Sequence, residues 1–297
     1  MAEEIRHPFQ DNLTRFVFEH AAVRGAVVSL DSTYRDILAC HPYPLGLARL
    51  LGEALAAVCL SAHALKSQGR LIFQLQGTGQ LRLLVVECDA SLKMRAVAQW
   101  DGTIPDDATL AQLAGDPGSS RLAVTLDPRD GGPLYQGIVS IEGSSVAELF
   151  EHYLAKSEQI DSRVRLAVLN DRACGVLLQR MPDVVEVDAN AWRRAAATIE
   201  SVVAVFAARD THTLLSTLFR EDDVRVFAGR TPQFGCSCSR ERVVGVLRLL
   251  GSEEVDSIVA ERGSVDVDCE FCNRHYRFEA AEAWALFPDS PSALARH

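Results

Sequence analysis

The chain has 297 residues, 48% hydrophobic and 24% charged, with a formal net charge of −10. That length accommodates two domains, one with a sizeable core, and the composition is that of a soluble globular protein, not a disordered or fibrous one. The acidic balance excludes nucleic acid and anionic membrane as expected partners unless a local basic patch offsets it.

No stretch reaches 18 uninterrupted apolar residues; the nearest, Leu45 to Leu65, carries Arg49, Glu53 and His63. The start, Met1-Ala-Glu-Glu-Ile-Arg6, lacks a basic segment followed by an apolar one. No secretory leader and no membrane span are therefore expected, and a cytoplasmic, thiol-reducing location is.

Taken in order, residues 12–31 read as strand material, with Gly25 marking a turn or bulge. Tyr34 to Cys40 is a short helix, stopped at His41-Pro-Tyr-Pro44. Leu47, Leu50, Leu51, Ala54, Val58 and Leu65 recur at helical spacing, predicting a helix from Leu45 to Lys66 with one buried face. Leu71–Gln76 and Leu81–Glu87 form a hairpin across Gly77-Thr-Gly79-Gln80. That loop is a poor phosphate cradle, because no helix and no Lys-Ser follow it.

Leu92–Trp100 alternates as a further strand, and residues 101–119 are loop with one short helix. Strands resume at Arg121–Leu126 and Tyr135–Ile141, separated by a turn at Asp127–Pro133. Ser145 with Glu148 is a capping-box pattern opening a helix. Val164–Leu169 and Cys174–Gln179 pair across Asn170-Asp-Arg172. Trp192–Ala208 and Thr213–Phe219 are helical, and their many apolar residues must pack on something. Helices at Ser239–Leu250 and Ser252–Glu261 and a strand pair, Val265–Asp268 with Arg274–Phe278, complete the chain. The fold class is α+β: a mixed, mainly antiparallel sheet body over 1–182, a helical linker over 183–230, and a small zinc-binding module over 231–297.

Four of the eight cysteines, Cys40, Cys59, Cys88 and Cys174, are scattered and read as core thiols. The other four cluster as Cys236-Ser-Cys238 and, 30 residues on, Cys269-Glu-Phe-Cys272. Two close pairs bounding a short excursion bring four thiolates to one point, which is a tetrahedral zinc site, and so small a module needs such a staple. His275 could compete as a ligand, but four cysteines already fill the site. The bland reading is a zinc that only braces a tail. Against it, thiolates are the form that oxidants attack, and each pair is close enough to close on itself, the Cys-x-Cys ring being small, strained and so readily reduced. Loss of the metal would remove on the order of 10 kcal/mol or more, beyond the reserve of a small domain.

The residues Phe234-Gly-Cys-Ser-Cys-Ser-Arg240, Leu249-Leu-Gly251, Cys269-Glu-Phe-Cys272 and Tyr276-Arg-Phe278 resemble the heat-shock protein 33 family of redox-regulated cytosolic chaperones. Val23-Arg-Gly25, His41-Pro-Tyr-Pro44, Leu51-Gly-Glu53, Gln74-Leu-Gln-Gly77, Tyr135-Gln-Gly-Ile-Val139 and Ser157-Glu-Gln159 carry the likeness through nearly the whole chain, in family order.

The resemblance implies one zinc on all four cysteines in a reduced, inactive state. It further implies that oxidation with heat forms Cys236–Cys238 and Cys269–Cys272 disulfides and releases the zinc. The linker is then metastable and loosens, the chain binds unfolding client proteins without ATP, and it dimerises. No catalytic residue and no enzyme activity are expected. Two rivals differ in class. A nucleic-acid zinc module is disfavoured by charge, since Cys236–Phe278 holds six Arg against eight Asp and Glu, a balance of −2. A thiol-disulfide oxidoreductase would use the Cys-x-x-Cys, but next to a βαβ unit rather than in a late hairpin.

Overall fold

The computed structural model describes residues 10–62, 65, 69–128, 131–181, 190–206 and 211–288. The expected helix end at Lys66, the boundary at 182 and the last residues of the Trp192–Ala208 helix lie outside them. The chain divides into two units, Met1–Gly235 and Cys236–His297.

In the first unit the alternating segments become strands as expected. β1 (Asn12–Phe18) and β2 (Val23–Leu30) are followed by helices α1 (Ser32–Leu38) and α2 (Leu45–Ala62). Next come β3 (Arg70–Gln76), β4 (Leu81–Asp89), β5 (Lys93–Trp100), the short α3 (Leu110–Ala114), β6 (Arg121–Asp127) and β7 (Tyr135–Ser140). α4 (Val146–Ser157), β8 (Ser162–Leu169) and β9 (Arg172–Arg180) follow, then α5 (Ala191–Ile199), a 3₁₀ turn at Val202–Val205 and α6 (Thr211–Leu218). β10 (Val224–Val226) and the two-residue β11 (Gln233–Phe234) close the unit.

One sheet has the order β10-β1-β2-β9-β8 and is antiparallel throughout. The second runs β11-β5-β4-β3-β6-β7, antiparallel except for the β11–β5 pair. The β8–β9 hairpin turns on Asn170 and Asp171, both at positive φ (50° and 57°). Those are the left-handed conformations that Asn and Asp tolerate in a two-residue turn.

α2 lies between the sheets, touching β2, β8 and β9 on one side and β3, β4 and β5 on the other. One buried face was expected; instead 14 of its 18 residues are buried. A helix with a sheet on either side keeps little solvent face, so it is apolar nearly all round, and only Leu45, Arg49, Glu53 and Ser61 are not buried. Its length and composition alone would let it cross a membrane, and this double burial accounts for both.

Two further expectations are corrected. Gly25 is neither turn nor bulge: it sits mid-strand in unbroken register, opposite Phe16. A Cβ there would lie 2.3 Å from Phe16 Cζ and 2.8 Å from the Leu177 carbonyl oxygen, so the glycine makes room for a ring. The capping box of α4 is only half made. Ser145 Oγ accepts from the Glu148 amide at 3.2 Å, but the Glu148 carboxylate accepts from the amide and hydroxyl of Ser144. Those bonds, the Ser144 amide foremost, hold the Glu148 carboxyl below the usual carboxylate range.

The apolar segment after residue 190 packs where a partner was needed. α5 contributes Ala191, Ala195 and Ile199; Val202, Phe206, Leu214, Leu215 and Phe219 add to them. Together they cover the face of the first sheet turned away from α2, made of Phe16, Phe18, Val23, Val27, Cys174, Val176 and Leu178. β9 is consequently buried on both faces, with Ala173 and Leu177 turned toward the α2 core. Phe219 meets the rings of Phe16 and Phe18 at 5.6 and 5.1 Å between centroids. Polar ties flank this packing. Arg165 pairs with Glu151 and Glu200, Arg194 with Asp222 at 3.2 Å, and the buried Arg172 donates to the Phe206 carbonyl. The segment is not purely helical as expected, because β10 adds an edge strand to β1.

The second unit holds α7 (Arg240–Leu250), α8 (Ser252–Arg262), the hairpin β12 (Ser264–Asp268) with β13 (His275–Glu279), and α9 (Ala280–Ala285). Its core is small: Val243, Leu247, Val255, Val259, Val265, Tyr276, Phe278 and Ala283.

Buried Asp11 ties the start of the fold together. Its carboxylate accepts from the Asp31 and Thr33 amides and the Ser32 and Thr33 hydroxyls, capping α1 from 20 residues away. Asp11→Ala strands several buried donors and is expected to lower stability by about 3 kcal/mol, read as a lower urea midpoint. A midpoint within about 0.5 kcal/mol of the parent would remove this role for the carboxylate.

Candidate metal centre

Cys236 follows β11 after Gly235, and Cys238 precedes Ser239, whose hydroxyl caps α7 by accepting from the Arg242 amide at 3.3 Å. Cys269 leaves β12, and Cys272 stands in the tight turn before β13. There the Cys269 amide donates to the Arg274 carbonyl and the Asn273 amide to the Cys269 carbonyl. Asn273 takes a positive φ of 54°, which closes the turn. Two loops thus aim their cysteines at each other.

The four sulfurs lie within 4.8 Å of one another. Cys236 and Cys269 are 3.6 Å apart, Cys238 and Cys272 3.4 Å. A tetrahedron of sulfurs at a zinc bond length of about 2.3 Å has edges of about 3.8 Å, so the donor set fits one four-coordinate cation. Burial pushes up the thiols of Cys269 and Cys272, and the neighbouring sulfurs raise Cys272 further. Four thiolates so close repel one another, and a bound cation is what relieves that. Soft thiolate donors in this geometry suit zinc.

His275 stays out of the cluster. Its ring nitrogens face Asp268 at 2.8 Å and Asp266 at 3.0 Å, and the Asp268 contact, followed by the Asp266 charge, raises its pKa. Arg240 braces the unit. Its guanidinium lies 4.0 Å over the Phe278 ring, donates to the Arg277 carbonyl and pairs with Glu282. Tyr276 Oη donates to Cys238 Sγ at 3.1 Å, and Arg242 donates to Ser237 Oγ at 2.7 Å. Neither contact was foreseen, since spacing singles out ligands and not the groups that touch them.

The other thiols are accounted for. Cys59, Cys88 and Cys174 are buried, and burial raises all three above the ordinary thiol range. Cys40 differs, lying half-buried just past the end of α1. The glycine-flanked loop after β3 spends the amides of Thr78 and Gly79 on the Ala114 carbonyl, which leaves no phosphate cradle there. Tyr135 and Glu158 serve α4: Tyr135 donates to the Ser157 carbonyl, and Glu158 accepts from Tyr153.

A profile of the Hsp33 protein family matches residues 11–279. The chain belongs to the Hsp33 family. A relative from Methylobacillus flagellatus, named 33 kDa chaperonin, is 43% identical over 286 residues, covering 93% of this chain and 94% of its own. A second 33 kDa chaperonin, from Chromobacterium violaceum, is 42% identical and covers 96% and 97%. The crystal structure of the 33 kDa chaperonin (Hsp33 homolog) from Thermotoga maritima superposes with a TM-score of 0.78 over 93% of this chain and 97% of its own. At 21% identity that likeness speaks for the fold. The α+β architecture with antiparallel sheets is that of the Hsp33 homolog.

The reduced protein is expected to carry one zinc per chain by metal analysis. Cys269→Ser, or chelation, should abolish that stoichiometry and unfold the Cys236–His297 unit, because metal binding contributes on the order of 10 kcal/mol to such a unit. A reduced preparation with no metal and an intact second unit would refute the site.

Proposed function

We propose that this member of the Hsp33 family is a redox-regulated, ATP-independent holdase. In the reduced chain, Cys236, Cys238, Cys269 and Cys272 hold one zinc, and the protein is inactive. Zinc supplies a positive charge that keeps four thiolates together and so keeps the small second unit folded. Oxidation pairs Cys236 with Cys238 and Cys269 with Cys272, which withdraws all four ligands. Residues 1–182 then act as the chaperone core, 183–230 as a metastable linker, and 231–297 as the switch. Unfolding client proteins bind under oxidative and heat stress, and the oxidised chain is a homodimer. Its setting is cytoplasmic, with neither nucleic acid nor membrane as partner, and the role is binding, not catalysis.

One observation carries this reading. The stretch that covers the apolar outer face of the first sheet is the stretch that leads into Cys236. Lifting α5, the 3₁₀ turn and α6 would uncover Phe16, Phe18, Val23, Val27, Val176 and Leu178 as one continuous face. A face of that size is an adhesive surface for unfolded chains. The cover is suited to leaving. α5 has nine residues, too few to be a stable helix once undocked, and its outer side is polar.

Mild hydrogen peroxide with heating is expected to release the zinc and create activity against aggregation of an unfolded client, followed together by a zinc dye and light scattering. Equal protection by the reduced, zinc-loaded protein would count against a switch, and catalytic turnover of insulin disulfides would favour an oxidoreductase instead. Limited proteolysis within 183–230 should accelerate on oxidation. An unchanged digestion pattern would break the proposed coupling between the cysteines and the cover.

A further inference from the structure

The four sulfurs are not equivalent. At Cys269 and Cys272 backbone amides work against the burial that raises the thiols: those of Cys272 and Phe271 at Cys269, and that of Arg274 at Cys272. Any residue in that turn would supply such donors. Cys238 instead receives a side chain, the Tyr276 hydroxyl at 3.1 Å. Tyr276 stands on β13 opposite Val267, is only 8% exposed, and belongs to the small core with Val243, Val255 and Phe278. The ring is therefore held, and the hydroxyl cannot swing off the sulfur without leaving that core. The two roles are separable, since phenylalanine would fill the core without touching the sulfur.

We propose that Tyr276 is a positioning residue that restrains Cys238 as an attacking sulfur and so sets how readily an oxidant opens the site. This deepens the redox reading above and rests on it. A hydrogen bond to an anionic sulfur is strong while the charge is on sulfur and weakens as the lone pair moves to the electrophile. It stabilises the starting thiolate more than the transition state, which slows attack. Hydrogen bonds to metal-bound ligands tune those ligands in the same way. With hydrogen peroxide as oxidant, Cys238 Sγ bonds to one peroxide oxygen, the O–O bond breaks and hydroxide leaves, giving a sulfenic acid. A neighbouring thiolate, Cys236 in the proposed pairing, attacks that sulfur, the S–S bond forms and a second hydroxide leaves. Two thiolates are oxidised and one peroxide is reduced.

The full-length chain and its Tyr276→Phe variant, both reduced and zinc-loaded, are compared under the same limiting peroxide. Each cysteine is followed by timed alkylation and mass spectrometry. Cys238 is expected to be consumed about fivefold faster in the variant, which is roughly 1 kcal/mol of barrier. Zinc release should advance with it, and the melting temperature of the reduced protein should stay the same. With cadmium in place of zinc, the cadmium-113 resonance should already differ between the two proteins before any oxidant is added. Equal Cys238 rates overturn the proposal, as does an unchanged cadmium resonance. Acceleration as large at Cys269 and Cys272 as at Cys238 also overturns it, because that marks a loosened fold. Phe278→Leu thins the same core and spares the hydrogen bond; it should speed all four cysteines alike, and a Cys238-selective effect from it overturns the proposal too. Selective acceleration in a chain that gains no client protection on oxidation upholds the hydrogen bond and overturns the holdase reading instead.

Discussion

Four sulfurs within 4.8 Å of one another are the constraint on which the second unit depends. Deprotonated, they repel; protonated, they bind no cation and hold nothing. The eight-residue core around Val255 and Phe278 is slight for a unit of this length, so the unit's order is tied to whatever neutralises the cluster. That tie makes the proposed switch physically economical: changing the oxidation state of four atoms would change the folded state of the whole second unit. The braces around the cluster, Arg240 over Phe278 and the Ser239 cap, add smaller increments than the metal would.

In the first unit the governing fact is that one sheet is covered on both sides by elements of different character. Toward the interior lies α2, buried nearly all round and fixed between two sheets. Toward the outside lie short helices with polar outer faces, tied by Arg165, Arg172 and Arg194. Partly exposed ion pairs such as Arg165–Glu200 and Arg194–Asp222 each contribute little, so the outer cover is held by its apolar contacts with Phe16, Phe18 and their neighbours and by the buried Arg172 bond to the Phe206 carbonyl. Under the proposed function the asymmetry separates a permanent core from a removable layer within one sheet.

Much of this was legible in the sequence. Strand alternation, the helical spacing of Leu47 to Val58, the Asn170-Asp171 turn and the four-cysteine pattern each carry a local signal, and each matches an observed element or cluster. What escaped was set by distant partners. Gly25 reads as a breaker until Phe16 is seen pressing on it from the next strand. Val224–Val226 is too short to show a period and becomes a strand only because β1 offers an edge. The near-complete burial of α2 depends on a second sheet that its own spacing cannot reveal. The Tyr276 hydroxyl on Cys238 joins residues 38 apart in sequence, beyond any spacing rule.

Between the outer cover and Cys236 the chain is stitched down three times, by β10 on β1, by the Leu13–Arg230 bridge and by the two-residue β11 on β5. Ladders this short have little cooperativity of their own and fray with modest warming. Under the proposed mechanism they act as a fuse between two compartments. Chemistry at the cysteines arms the molecule, yet the slackened tail cannot tug the cover free while those stitches hold. Warmth melts them and fires it, so a transient burst of oxidant in a cool cell passes without committing the protein.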